Sequence, residues 1–106
     1  MTRVRNSELV IIYWRDIPVQ VTVQKGRLRE KALLDPRFQQ AVDRAAIVAG
    51  LTDTDSYVAE WRRESTKCDG DMAESVVATA KQLNDDYSDP RLERLVQAGG
   101  LEELAE

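Results

Sequence analysis

The sequence contains no histidine and only one cysteine among its 106 residues. Histidine is the commonest general base near neutral pH and the commonest metal ligand, so its absence argues against hydrolytic triads and most zinc sites. The single cysteine, Cys68, cannot form an internal disulfide, which agrees with a reducing compartment. Because no histidine can serve as its base, Cys68 is not expected to act as a papain-like nucleophile.

Phosphate-binding loops and long apolar runs are also missing. The five glycines are scattered along the chain, and none has the spacing of a Walker or Rossmann loop. No apolar run approaches the roughly 18 residues of a transmembrane helix, and MTRVRNSE has no apolar signal-peptide core. A net charge of −4 disfavours non-specific binding to nucleic acid or anionic membranes. We therefore expect a cytoplasmic protein that is not an enzyme and that uses no cofactor or metal.

The stretch IIYWRDIPVQVTVQ, residues 11–24, predicts a β-hairpin. Its second half alternates valine with glutamine or threonine, the period of a strand with one buried and one wet face. The apolar run before it predicts the first strand, and Arg15, Asp16 and Pro18 predict the loop, because aspartate favours turns and proline is confined to loops, edges and strand starts.

The length of that loop decides which side chains share a face. A loop of two or four residues would place Val10, Ile12 and Trp14 on one face with Val19 and Val21. A three-residue loop would put Ile12 opposite a glutamine and divide the apolar residues between the two faces. We therefore predict a loop with an even number of residues.

The segment KGRLREKALL, residues 25–34, carries a basic residue at every second position from Lys25 to Lys31. We interpret it as a solvated connector or as a charged edge of the sheet, since charges on sheet edges discourage aggregation. An anion-binding site is the alternative.

Three helices are predicted in the rest of the chain. Asp35 followed by proline is a typical start and Gly50 a typical Schellman stop, which bounds the first helix at 36–49. A turn at 69–71 leads to a second helix at 71–86. The third begins at the repeated Asp-Pro signal at 89 and 90, runs to about 98, and ends at Gly-Gly. The final LEELAE is expected to form a short amphipathic turn or a frayed end.

Residues 57–64 fit two structures. Tyr57, Ala59 and Trp61 alternate as in a strand, while Val58, Trp61 and Arg62 fit a short helix. We prefer a third strand beside the first one, because an isolated two-stranded hairpin is only marginally stable. The predicted fold is a single α+β domain over 1–106, with an antiparallel three-stranded sheet, about three helices and the order ββαβαα.

The candidate binding site combines the Trp-Arg groups of the first and third strands. Tryptophan, tyrosine and arginine are enriched at binding hot spots. Such a corner would bind a protein or a small anion through its guanidinium groups, or would hold the hairpin by an internal salt bridge. Its members are Tyr13, Trp14, Arg15, Asp16, Trp61, Arg62 and Arg63.

The other face of the first strand, with Leu9, Ile11 and Tyr13, cannot be covered by the first helix alone. Either the second and third helices cover it or it is an interface, since exposed apolar patches with aromatic residues commonly mark association.

The strings IIYWRDIPVQV, FQQAVDRAAIVAGL and SYVAEWRR, in this order, resemble a small bacterial domain family labelled virulence factor. The resemblance covers residues 9–63 and leaves 71–106 as a helical extension. A related domain stands at the end of conserved virulence factor C proteins, beside a segment similar to iron–sulfur scaffold proteins. This chain lacks the CxxC pair of such scaffolds, so cluster binding is not carried over.

The setting of the related domain implies an interaction module. Together with the lack of catalytic motifs and the uncovered face of the first strand, this predicts a non-catalytic binding or accessory module that associates with proteins, as a homodimer or as a subunit of a larger bacterial complex, with an independent enzyme as the second choice. Stand-alone family members are associated with folate- or corrinoid-linked methyl transfer. The alternative function is therefore an accessory subunit of such a system, with a small anionic ligand at the Trp-Arg corner.

Overall fold

The computed structural model describes residues 7–68 and 70–102. Within these ranges the strands form one antiparallel sheet in the order β3-β2-β1-β4. Four strands and four helices follow one another as β1 (Ser7–Trp14), β2 (Ile17–Lys25), β3 (Leu28–Leu33), α1 (Pro36–Ala49), α2 (Thr54–Ala59), β4 (Trp61–Cys68), α3 (Met72–Asp86) and α4 (Asp89–Gln97).

The predicted α+β class and antiparallel sheet are confirmed, but the three-stranded sheet and the order ββαβαα are wrong. The missed strand, β3, lies within the basic segment and pairs with β2 across a turn at Gly26, whose φ is +61°. Only one of its six residues, Ala32, is even half-buried, so the sequence has little apolar periodicity there. The charged sheet edge is the correct interpretation of this segment, and the solvated connector is wrong.

Residues 57–64 contain both of the structures that the sequence left open. Tyr57 lies in α2, which Asp53 caps by accepting a hydrogen bond from the backbone N–H of Ser56 at 3.1 Å. The strand begins only at Trp61, so the preferred strand is wrong for its first residues and correct for the rest. The predicted pairing of this strand with β1 is confirmed.

The hairpin between β1 and β2 turns on two residues, Arg15 and Asp16, which confirms the even loop. A β-bulge then shifts the register, because Pro18 lies opposite Tyr13 while Gln20 lies opposite Ile12. One extra residue in a strand moves every later side chain to the other face. The predicted common face of Val10, Ile12, Val19 and Val21 is therefore wrong.

The register instead pairs the apolar residues Leu9 with Val23 and Ile11 with Val21. These side chains belong to the core that α1 and α3 cover, and we call this side of the sheet the helix-covered face. Leu9 and Ile11, expected on the face away from the first helix, pack at the margin of this core. Its most deeply buried members are Trp14, Ile17, Val21, Val23, Phe38, Val42, Ala45 and Val96.

The bounds of α1 are those predicted. Asp35 occupies the cap position, but its side chain makes no capping hydrogen bond. At the other end, Gly50 has a φ of +76°, and the N–H of Leu51 donates to the carbonyl of Ala46 at 2.9 Å. This is the predicted Schellman stop.

Helix α3 begins at the cap Asp71, which accepts from the N–H of Glu74. The cap of α4 is Ser88 and not the predicted Asp89, which lies in the first turn, so the repeated Asp-Pro signal places its aspartate differently in the two helices. The Gly-Gly stop of α4 is confirmed by the N–H of Gly100, which donates to the carbonyl of Leu95. Part of the predicted turn, Asp69, and part of the acidic end, 103–106, lie outside the described residues.

Candidate functional site

The predicted Trp-Arg corner exists at the hairpin end of the sheet. Trp14 lies directly opposite Trp61, and Tyr57 of α2 packs against both, with ring centroids 5.7 Å and 5.9 Å away. Trp14 is fully buried, and its Nε1 donates to the carbonyl oxygen of Tyr57 at 2.9 Å. The indole N–H, which a buried tryptophan must satisfy, is therefore paired within the chain.

Arg15 occupies the first position of the turn and has a φ of +53°. Among the described residues other than glycine, it alone has a positive φ. Its Nε donates to Oε1 of Glu60 at 3.0 Å, and its Nη1 donates to the carbonyl of Gly99 at 3.1 Å. An L-residue in the left-handed region is strained by about 1–2 kcal/mol, so contacts around it must hold it there. The two hydrogen bonds of the guanidinium supply that restraint.

Arg62 crosses the turn from the neighbouring strand. Its Nε donates to the carbonyl of Arg15 at 2.8 Å, its Nη2 pairs with Asp16 at 3.0 Å, and its Nη1 pairs with Glu64. Burial alone would lower the pKa of Arg62, but the hydrogen bonds to Glu64 and Asp16 outweigh it, and the pKa is raised. Arg62 is thus held in the charged form by partners inside the chain.

Tyr13 lies below this arginine, with the Arg62 guanidinium carbon 4.4 Å from the ring centroid. Burial of the hydroxyl raises the pKa of Tyr13, and the neighbouring Tyr87 and Glu64 raise it further. The phenol is therefore neutral at physiological pH and presents no anionic nucleophile.

The corner is closed by the segment after α4, which the sequence did not indicate. The N–H of Asp16 donates to the carbonyl of Gly100 at 2.9 Å, and the N–H of Glu102 donates to Oδ2 of Asp16 at 2.6 Å. A Cβ built on Gly100 would lie 2.9 Å from Cζ3 of Trp14, so only glycine fits against the indole without movement. In the sequence, the Gly99-Gly100 pair is fully explained as the stop of a helix. No other signal in the sequence indicates that Gly100 contacts Trp14.

Six of the seven predicted site residues therefore meet at one place, and Arg63 lies elsewhere. The guanidinium groups of Arg15 and Arg62 already bind carboxylates and carbonyls of the chain. The sequence left three possible roles for the corner: binding a protein, binding a small anion, or holding the hairpin by an internal salt bridge. The observed contacts are those of the internal salt bridge. Binding of a protein or an anion by these residues stays a prediction.

Replacing Arg15 with glycine is expected to leave the protein more stable than replacing it with alanine, by about 1 kcal/mol. Both substitutions remove the hydrogen bonds to Glu60 and Gly99, but only alanine keeps a Cβ at the positive φ. Urea unfolding of the two variants measures the difference. Equal stabilities would show that the turn relaxes to a negative φ once the guanidinium is gone.

The opposite side of the sheet carries a second group of side chains. Residues directly opposite one another in an antiparallel sheet share a face, so the register defines three rows of four. None of these twelve residues belongs to the cluster that joins the sheet to the helices, and we call this side the open face. Its rows are Leu33, Gln20, Ile12 and Arg63; Lys31, Thr22, Val10 and Ser65; and Arg29, Gln24, Glu8 and Lys67.

The open face is basic at its two edges. Arg29 and Lys31 project from β3, Arg63 and Lys67 project from β4, and all four side chains are exposed. Glu8 is the one carboxylate of the twelve, and it accepts a hydrogen bond from Nε2 of Gln24 at 3.0 Å. Four cations thus gather on one side of a chain whose net charge is −4.

A shallow hollow of about 150 Å³ lies in the middle of the open face. Val10, Ile12 and Thr22 contribute to its lining, with Arg29 and Arg63 from the two edge strands. Lys31, Arg63 and Lys67 form no ion pair with any residue within 7–68 and 70–102. Three of the cations in the strands that have no ion pair therefore lie on this face, while Lys25 of β2 points to the other side.

Sequence reasoning missed the open face as a site because the bulge was not foreseen. The alternation of valine with Gln20, Thr22 and Gln24 correctly predicted β2, but the predicted wet face is wrong, because Thr22 is buried and the two glutamines are half-buried. The sequence also shows basic residues at alternate positions in 25–31, but these residues could not be assigned to a face of the sheet because β3 was not predicted. Pairing the valine alternation of β2 with the basic alternation of 25–31 as two neighbouring strands would have indicated the open face.

A family model described as "Virulence factor" matches residues 12–96, which extends well beyond the predicted 9–63 and takes in α3 and α4. No curated protein and no solved structure matches the chain. The helices in the described parts of the chain are all too short or too polar to span a bilayer. The same parts hold no group of three or more cysteine, aspartate or glutamate residues arranged to bind a metal ion.

Proposed function

The chain belongs to the virulence factor family, and from this membership and its own geometry we propose a non-catalytic module that docks a protein partner on the open face. The observation that carries the proposal is the difference between the two faces of the sheet. One face is buried under α1 and α3, while the other presents exposed, unpaired cations around a shallow hollow. Concave polar surfaces with charged rims are typical of association sites.

The composition of the open face supports a docking role over a purely solvated one. Ile12 of β1 is half-buried at the centre of its row, and Leu33 at the β3 end of the same row remains 67% exposed. Apolar side chains within a charged rim are the usual anatomy of an interface, since the centre contributes burial and the rim contributes orientation. A protein surface of opposite charge would bury both kinds of group.

A small anion at the Trp-Arg corner, as in an accessory subunit for methyl transfer, has weaker support. The guanidinium groups of Arg15 and Arg62 would have to leave Glu60, Asp16 and the backbone carbonyls that they now bind. Charge-assisted hydrogen bonds of this kind are about twice as strong as neutral ones, so an anion would compete at a disadvantage.

Neighbouring residues of β4 allow a direct test of docking on the open face. Ser65 belongs to this face, and Thr66, which is also exposed, points to the other. We expect a photo-crosslinking amino acid at Ser65 to capture a defined protein in cells of the native host, and the same amino acid at Thr66 to capture none. The measurement is the pattern of crosslinked bands identified by mass spectrometry.

Crosslinking that is equal at the two positions, or absent at Ser65, would contradict docking on this face. Ser65 and Thr66 are adjacent in β4 and the two variants are expressed from the same chain, so a difference between them reports the face and not the amount of protein. Binding at the corner instead would give a product at Glu64, which pairs with Arg62, but not at Ser65.

A further inference from the structure

We infer that the open face takes an acidic amphipathic α-helix of a partner protein. This inference rests on the proposed function and specifies the chemistry of the partner. Three features support it: the placement of the cations, the uncharged centre between them, and the width of the sheet.

The cations form two lines with a gap between them. Arg29 and Lys31 lie on one edge strand, and Arg63 and Lys67 lie on the other. The two central strands contribute no cation to the face, and their one carboxylate, Glu8, is bound by Gln24. A partner with carboxylates along two flanks and apolar side chains between them would be complementary to this arrangement.

The dimensions of the sheet suit a single helix. Three strand spacings separate β3 from β4, or about 14 Å, and an α-helix with its side chains is about 10–12 Å wide. A helix lying along the central strands would place its apolar stripe over the half-buried Ile12, since the neighbouring Val10 is already buried. Its two acidic flanks would then face the lysine and arginine side chains of both edges. The eight residues of β1 extend over about 27 Å, which corresponds to about 18 residues of helix.

A second copy of this chain fits the face poorly. A symmetric, face-to-face dimer would bring the four cations of one protomer against the four cations of the other. Nucleic acid also fits poorly, because its single strands bind through base stacking on aromatic side chains. None of the twelve open-face residues is aromatic, and the chain as a whole is acidic.

Synthetic helices test the inference on the full chain. The probe is an 18-residue helical peptide with a leucine stripe flanked by glutamates, and its counterpart has lysine in place of each glutamate. We expect the acidic peptide to bind and to shift the NMR signals of Gln20, Thr22 and Ser65, and the lysine peptide not to bind. Raising the salt from 50 to 300 mM should weaken the acidic peptide severalfold, because exposed charge pairs are screened.

Charge reversals locate the binding. We expect Lys31→Glu and Arg63→Glu each to weaken the acidic peptide by roughly fivefold, and the double variant by more than tenfold. Arg94→Glu makes the same change of charge at an exposed position of α4, away from the sheet, and should leave the affinity for the acidic peptide within twofold. An Arg94→Glu effect as large as that of Lys31→Glu would overturn the inference, as would equal binding of the two peptides or stronger binding of a single-stranded oligonucleotide.

The two proposals fail in different ways. Capture of a partner at Ser65 without binding of the acidic peptide would leave docking on the open face intact and refute the acidic helix. Absence of a partner at Ser65 refutes the docking function itself, whatever the peptides do.

Discussion

Replacing Trp14 with alanine is expected to lower the free energy of unfolding by about 3–5 kcal/mol. The indole is fully buried between Tyr57 and Gly100, and its loss leaves a cavity and removes the hydrogen bond from Nε1 to the carbonyl of Tyr57. A domain of this size has about 5–15 kcal/mol of stability in total, so the variant should be close to unfolding. Urea denaturation followed by far-UV circular dichroism measures the loss without relying on tryptophan fluorescence.

The second tryptophan provides the matched control. Trp61 lies opposite Trp14 but is only half-buried, so Trp61→Ala should cost less, about 1–2 kcal/mol. Trp14→Phe should fall between the two alanine variants, because it keeps most of the ring and loses the hydrogen bond to Tyr57. If Trp14→Ala and Trp61→Ala were equally stable, the hairpin end of the sheet would not be the packed corner described above.

Replacing Gly100 with alanine is expected to cost about 2–5 kcal/mol. The φ of +93° contributes about 1–2 kcal/mol, and the new Cβ, 2.9 Å from the Trp14 ring, adds an overpacking cost of about 1–3 kcal/mol. The substitution also strains the segment whose carbonyl accepts from Asp16. Thermal and urea unfolding of the variant measure the sum of these effects.

Gly70 separates the two contributions. Its φ of +96° is nearly that of Gly100, but no atom lies within 4 Å of a Cβ built there. Gly70→Ala should therefore cost only the conformational part, about 1–2 kcal/mol. The excess for Gly100→Ala measures the contact with Trp14, and an excess of zero would mean that the indole can move aside freely.

Much of the fold was accessible from the sequence where local signals agree with one another. The proline start and glycine stop of α1 bound it correctly, and the valine alternation correctly predicted β2. The helix-strand ambiguity at 57–64 was real, because α2 and β4 adjoin within that segment. Local propensity does not show where the helix ends and the strand begins within these eight residues, because that boundary depends on the packing of Tyr57 against the two tryptophans.

The bulge was out of reach for a different reason. Nothing local distinguishes Val19 as an unpaired residue, since it continues the valine period. Its position follows from combining the two-residue turn with the burial of Leu9 and Ile11 against the helices, which only the assembled fold decides. The candidate site depends on this register, so the corner was predicted from composition while the open face was not.

The hydrogen bonds that close the hairpin turn have a consequence for how the chain is made. Arg15 binds Gly99 across a separation of 84 residues, and Asp16 binds Glu102 across 86. At the usual 5–20 residues per second of translation, the turn would wait roughly 4–17 s on the ribosome before these partners are synthesised. Until then Arg15 has no carbonyl at Gly99 to hold its strained conformation, so the β1–β2 hairpin is exposed to chaperones and to mispairing throughout that interval. Its last contacts form only after Glu102 has been synthesised.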